Sequence, residues 1–422
     1  MTEAPQNTMV APQQTDETDL LVHINVAQND SLAAAIDHVS QSLGALAPRL
    51  RVAVTYAAAP AELASIQSEA GPSSESRIQL LPYAASSRGS VLADVMLSWM
   101  HTAADYTAAL KVADACNARA CIMLGPQVKT LETEAIPTLA EAVLAERVDL
   151  VMPCYRLERF EGLLNSAVLY PLTRALHGRR VRFPLGADLA MSRRMMHHVR
   201  AVLNRMPAAA QEDALLWPAT EAALANMEIA EAELGMRRFA QGDSPDLSVL
   251  LSRILGSLFV DAEVKAAAWQ RVRQSQPVPV RVAPYASVQQ SSTPDVRSML
   301  ESFQLGSGNL QEIWSLVLPP NSLLALKKLE RLSPDVFRMP DALWARIVYD
   351  FMLAHRLRTI SRQHLLGALT PLYLGWVASY VMETGQLSSA TAEGRVESLA
   401  AVFEAEKPYL LSRWRWPDRF NP

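Results

Sequence analysis

Cysteine is scarce in this sequence: three among 422 residues, Cys116, Cys121 and Cys154, an odd number in apolar surroundings. That usage excludes a disulfide framework and reads as reduced core thiols. Charge is also sparse, at 19% of residues, and sums to a formal −4. A weakly acidic chain is poorly suited to general binding of nucleic acid or of an acidic membrane. The opening stretch "MTEAPQNTMVAPQQTDETD" has neither a basic n-region nor an apolar h-region, so no secretory signal is read there. Residues 1–18 are expected to be a disordered tail, and the compartment the cytoplasm. One uncharged run, Leu365 to Met382 ("LLGALTPLYLGWVASYVM"), reaches the lower length limit of a membrane span. Thr370, Pro371, Tyr373, Gly375 and Ser379 interrupt it. The expectation is therefore a buried helix or helix pair and no membrane span.

Half of the residues are hydrophobic, which supplies a sizeable core and excludes global disorder. The length suits two or three domains of about 150 residues each. Compact apolar runs at Leu20–Val26, Arg51–Tyr56, Arg77–Leu81, Ala120–Leu124 and Val148–Met152 read as strands, with helical spacing between them. One long helix is expected from about Arg88 to Ala115. Strands alternating with helices predict a mostly parallel sheet covered on both faces, with ligands at the carboxyl edges of its strands. From about Leu247 the pattern is helical, broken at Gln274–Pro294 by a Pro/Ser-rich stretch read as an extended surface connector. The terminal "RWRW" reads as tryptophans packing on the body with arginines outward, rather than as a base-stacking platform.

The segment Tyr155–Ser192, "YRLERFEGLLNSAVLYPLTRALHGRRVRFPLGADLAMS", carries the most information. Its Tyr170-Pro171-Leu172, Arg174-Ala175-Leu176, Gly178, Arg182, Pro184, Gly186, Asp188 and Ser192 resemble the acceptor-side motif of the mannosylglycerate and glucosylglycerate synthase-like glycosyltransferases. His177, Phe183, Ala187 and Leu189 depart from that motif. The stretches "ALWARIVYDFMLAHR", "LLGALTPLYLGWVAS" and "FEAEKPYLLSRW" are similar to the helical C-terminal part of such proteins. The resemblance implies a GT-A fold, Rossmann-like and α/β, at residues 19–245, followed by an α-helical domain at 246–422. It implies transfer of a sugar from a nucleotide-sugar donor to a small polar acceptor such as a glycerate-like acid.

The same family holds a divalent cation with an Asp-x-Asp after the fourth strand and with a histidine further on. Here the corresponding positions carry Gly125, Gln127 and Phe239, so no metal ligand and no metal cofactor are expected. The donor turns "TYAAAPAEL" and "SSRGSVL" have drifted too, the second keeping only Arg88, Gly89 and Leu92 of its pattern.

What the resemblance implies about single residues follows its motifs. Asp188 stands for a contact to acceptor hydroxyls or to the donor sugar, beside Tyr155 and Arg156 on the acceptor side; its alternative is a turn aspartate capping local amides. Asp213, with Glu212, stands for an acidic residue that would take the acceptor's proton, against a plain first-turn carboxylate complementing a helix dipole. Arg182 is the retained member of the run Arg179, Arg180, Arg182, and with Arg88 and Lys129 it is a candidate for gripping a diphosphate or an acid. His197 and His198 are adjacent on a helix and face apart, which makes a poor chelate. Two functions compete: an active, metal-independent hexosyltransferase, and a degenerate, non-catalytic homologue serving as a binding or regulatory subunit. A homo-oligomer through the helical domain is left open.

Overall fold

The structure is a computed structural model, and it describes residues 17–25, 32–44, 46–58, 78–84, 100–145, 147–210, 213–237, 247–281 and 294–417. The chain begins β1 (Leu20–Ile24), α1 (Leu32–Ser42), β2 (Val52–Ala58), β3 (Ile78–Ala84), α2 (Ala103–Ala115), β4 (Ala120–Leu124), α3 (Ala135–Leu144) and β5 (Leu150–Arg156). It continues α4 (Tyr170–His177), β6 (Arg179–Arg180), β7 (Leu189–Ser192), α5 (Arg193–Leu203), α6 (Pro218–Leu224) and β8 (Ile229–Met236). Then come α7 (Leu247–Val264), α8 (Ala266–Trp269), β9 (Gln276–Pro277) and β10 (Val280–Arg281). The remaining helices are α9 (Val296–Asn309), α10 (Gln311–Val317), α11 (Pro320–Glu330), α12 (Asp341–Leu357), α13 (Arg362–Thr384) and α14 (Ser389–Arg415).

Two compact units result, and they are interleaved in sequence. The α/β unit holds residues 1–156, 185–242 and 278–286; the helical unit holds 157–184, 243–277 and 287–422. The sequence reading drew one boundary near 245. The segment 157–184 departs from it, because the amphipathic α4 finds its packing surface on α14.

In the α/β unit the eight strands lie in the order β10-β8-β5-β7-β4-β1-β2-β3. All pairings are parallel except those of β7, which runs antiparallel between β4 and β5. This is the fold class that the resemblance implies: a Rossmann-like, GT-A-type sheet with helices around it and a helical region after it. Every residue of β1 and of β4 is buried, as expected for strands covered on both faces. Register is pinned there by Leu20 opposite both Val52 and Ala120.

The helical unit is built on apolar faces that exclude water. α13 is a single helix passing through Pro371, and 72% of its apolar window is buried inside the protein. It packs closely on α9: a Cβ placed on Gly306 would lie 2.5 Å from the Cβ of Pro371, so only glycine permits that approach. Trp414 is buried edge-to-face on Trp269, with the Arg356 guanidinium 4.2 Å from its ring centre, whereas Trp416 is 69% exposed.

Two sequence expectations need correction. The helix drawn from Arg88 starts, among the described residues, only at Ala103: Thr102 caps it, and Asp105 returns a hydrogen bond to the Thr102 backbone. The connector at 274–294 is partly paired as strands, β9 with β6 and β10 with β8. Arg88, Glu212, Phe239 and residues 282–293 lie outside the described residues.

Candidate functional site

The turn after β4 sits at the carboxyl edge of the sheet. Leu124 ends the strand, Gly125 and Pro126 follow, and Gln127 takes a left-handed conformation (φ 59°) before a single turn at Val128–Thr130. A Cβ on Gly125 would lie 2.6 Å from the Cβ of Ala187, so the backbones meet there only because position 125 has no side chain. Ala187 is brought to this point by β7, whose Leu189 is paired with Met123.

Asp188, next to Ala187, is entirely buried and accepts hydrogen bonds from three parts of the unit. The Gly125 amide donates to Oδ1 at 2.9 Å, and the Tyr155 hydroxyl donates to Oδ2 at 2.8 Å. The same hydroxyl accepts from the Asp188 amide at 3.0 Å. Arg237, just beyond β8, donates from Nε to Oδ2 at 3.0 Å. Its terminal nitrogens donate to the carbonyls of Pro126 (2.5 Å) and Gln127 (2.6 Å) and to Thr130 Oγ1 (2.6 Å). The guanidinium is 1% exposed and the carboxylate 0%. Taking both charges from water is costly, and the directed donors on each side offset that cost. Burial, then the neighbouring Asp188 charge, pushes the Tyr155 hydroxyl well above the usual phenol range, so it stays a donor.

A second polar corner adjoins this one. His101 is buried, and its Nε2 lies 2.6 Å from the Ala187 carbonyl. Its ring is edge-on to Tyr106 and to His23 of β1, at centroid distances of 5.8 and 6.1 Å. Burial lowers its affinity for a proton, partly countered by Asp105. Asn25 ends the β1 edge, with its amide bonded to the Leu124 carbonyl at 3.0 Å.

The sequence candidates fall in different places. Tyr155, Asp188 and the Gly125 turn come together; Tyr155 and Asp188 turn inward, as parts of one internal lattice. Arg156 pairs with Glu233 on the adjacent strand. Lys129 and Asp213 are exposed. Arg182 belongs to the helical unit, where it pairs with Glu393 at 2.5 Å, donates to Ser166 Oγ at 3.0 Å and lies over the Tyr170 and Phe183 rings. Within that same unit Arg180 donates to Ser275 Oγ at 3.0 Å. His198 pairs with Glu221 while His197 is exposed. No group of three or more His, Cys, Asp or Glu among the described residues is arranged to hold a metal ion.

Arg237 and His101 were not anticipated. The first sits in "LGMRRF", where attention went to Phe239, and nothing local links it to a carboxylate 49 positions away. The second had a readable signal, the Thr102-x-x-Asp105 capping box, which places His101 just outside the helix.

No family model matches the chain, and no curated protein matches it. Among solved structures it is similar to the glucosyl-3-phosphoglycerate synthase from Mycobacterium tuberculosis in complex with phosphoglyceric acid. The identity there is 16% over 58% of this chain and 79% of the other, with a TM-score of 0.35. It is also similar to a structure described as a mycobacterial protein: 17% identity, 58% and 74% of the two chains, TM-score 0.34. The fold assignment rests on the strand order and on antiparallel β7, not on these weak likenesses.

Proposed function

We propose that the protein is a glycosyltransferase of the nucleotide-sugar-dependent kind, transferring a hexosyl group to a small polar acceptor such as a glycerate-like acid, without a divalent cation at the turn after β4. The observation that carries this reading is the Arg237 guanidinium bonded to the carbonyls of Pro126 and Gln127 and to Asp188. This sealed ion pair fixes, by side chains, the turn at the place where the resembling family uses a metal.

The residues present do not fit a divalent cation there. Hard cations need several oxygen ligands, usually carboxylates. Gly125 contributes no side chain and has no room for one, and Gln127 is neutral. Arg237 is itself sealed from solvent, so in this reading it is a positioning residue that fixes the turn, and Asp188 acts through it rather than on the acceptor.

A second reading, a non-catalytic binding or regulatory subunit, is favoured by the complete burial of the Asp188 carboxylate. The test is thermal unfolding of the full chain with UDP-glucose, GDP-mannose and related donors, followed by a search for transfer to glycerate-like acids. A donor held at ~100 times its Kd raises stability by about 2.7 kcal/mol. Stabilisation with product formation supports the transferase, and stabilisation without product supports the binding subunit. No stabilisation by any donor rejects the transferase.

A further inference from the structure

Among the described residues, the buried polar atoms without a hydrogen-bond partner at the carboxyl edge of the α/β unit include Asn25 Nδ2 and His101 Nδ1. Both side chains are more than nine-tenths buried, at 8% and 3% exposure. Both residues lie against the turn after β4: the Asn25 backbone N–H donates to the carbonyl of Leu124, the residue before Gly125, and His101 is bonded to the carbonyl of Ala187, whose Cβ lies against Gly125. His23, on β1 two residues before Asn25, lies edge-on to the His101 ring.

The chemistry of the pair follows from its neighbours. A carbonyl oxygen only accepts, so the His101 proton must sit on Nε2, facing Ala187. Nδ1 is then a lone pair, an acceptor in need of a donor. Asn25 Nδ2 is a donor in need of an acceptor. An unmade buried hydrogen bond is costly, so a ligand that completes both is favoured. A carboxylate has no hydrogen to give Nδ1, and a phosphate brings charge whose burial is costly. A hydroxyl group donates and accepts, and it is neutral.

We propose that Asn25 and His101 form a binding site for the hydroxyl groups of a sugar or polyol, one hydroxyl donating to His101 Nδ1 while a hydroxyl or ring oxygen accepts from Asn25 Nδ2. This deepens the glycosyltransferase reading and rests on it for the source of the polyol. The site recognises uncharged oxygen and leaves anionic parts of the substrate to other groups.

The test uses the full chain labelled with ¹⁵N-histidine. The Nδ1 and Nε2 resonances of His101, assigned with His101→Gln, are followed during titration with D-glucose, glycerol, D-glycerate, UDP-glucose and inorganic phosphate. The site predicts an Nε2-protonated ring whose Nδ1 signal moves with at least one hydroxyl-bearing probe and not with phosphate. Asn25→Leu should weaken that probe at least tenfold with the fold intact by circular dichroism. An Nδ1 signal unmoved by every probe, or moved by phosphate alone, overturns the site, as does unchanged affinity in Asn25→Leu. UDP-glucose that stabilises the protein without moving Nδ1 leaves the transferase reading standing and removes only this site. A polyol that moves Nδ1 while no nucleotide-sugar binds does the reverse.

Discussion

The two units each contain a buried Asp–Arg pair joined by a tyrosine, buried in the α/β unit and half-buried in the helical unit. In the α/β unit Asp188 meets Tyr155 and Arg237; in the helical unit Asp350 meets Tyr409 and Arg413. Their surroundings differ. Asp188 also takes the Gly125 amide, and Arg237 divides its donors between that carboxylate and two turn carbonyls, so the trio holds backbone. Asp350 has Tyr409 on both oxygens (2.9 and 2.8 Å) and Arg413 at 3.2 Å, so it joins two helices, α12 and α14, by side chains alone. Burial dominates over those partners and pushes the Asp350 carboxyl up to about 7. One chemical kit thus fixes a turn at the carboxyl edge of the sheet in one unit and ties packed helices in the other.

The largest expected effect breaks the first trio. Asp188→Ala strands a buried guanidinium and should cost ~3–5 kcal/mol in urea unfolding. A loss of only ~1 kcal/mol would mark Asp188 as an ordinary turn cap instead. Asp350→Asn is the sharpening control. At pH 6 the native carboxyl is already mostly protonated, so the amide should cost no more than about 1 kcal/mol.

Next in size is the close approach that the trio enforces. Gly125→Ala should cost ~1–3 kcal/mol by overpacking against Ala187. Adding Ala187→Gly should recover part of that loss, with a coupling above ~0.5 kcal/mol in the double-mutant cycle. Additive losses would mean that the two residues do not meet.

The trio in the helical unit also carries a pH dependence. The folded pKa of Asp350 is raised from 3.8 to about 7, so between these values the folded state holds the proton more tightly than the unfolded state. Its contribution to stability therefore falls as pH rises through that window and is flat outside it. Melting curves of the wild type and Asp350→Asn from pH 4 to 8 should show the wild type losing stability relative to the variant up to about pH 7. Parallel curves would refute the assignment. His177 and His355 work in the opposite sense: burial lowers them from 6.5 to about 3 and about 4, so their contribution is lost as pH falls below 6.5.

The smallest effect belongs to the exposed ion pairs. Glu393→Gln, opposite Arg182 and half exposed, should change stability by less than ~1 kcal/mol. Arg182→Ala should cost more than Glu393→Gln, since its guanidinium also covers two aromatic rings. Equal losses would assign the whole effect to charge.

Much of the α/β unit was legible because its strands are short apolar runs. The stretches expected at Leu20–Val26, Arg51–Tyr56, Ala120–Leu124 and Val148–Met152 overlap β1, β2, β4 and β5. What the sequence left hidden was the pairing that makes the site. Asp188 was singled out, but its burial depends on Tyr155, Gly125 and Arg237, which lie 33, 63 and 49 positions away and converge only through the sheet. Arg182 and Asp188 stand together in the motif at Tyr155–Ser192, yet that proximity in the chain does not survive the turn at Pro184: the two residues belong to different units. The glycine and proline of the β4 turn, puzzling as a sequence, follow from the close contact with Ala187 and from a guanidinium that uses the turn carbonyls.

The central claim is that Arg237 and Asp188 together fix the turn after β4 and that no divalent cation is needed there. Calorimetric titration of the full chain with a donor that stabilises it, once in Mn²⁺ and once in EDTA, tests this directly. The account predicts the same Kd in both, and no Mn²⁺ uptake when nucleotide is bound. Tight Mn²⁺ binding that appears only with nucleotide would contradict it.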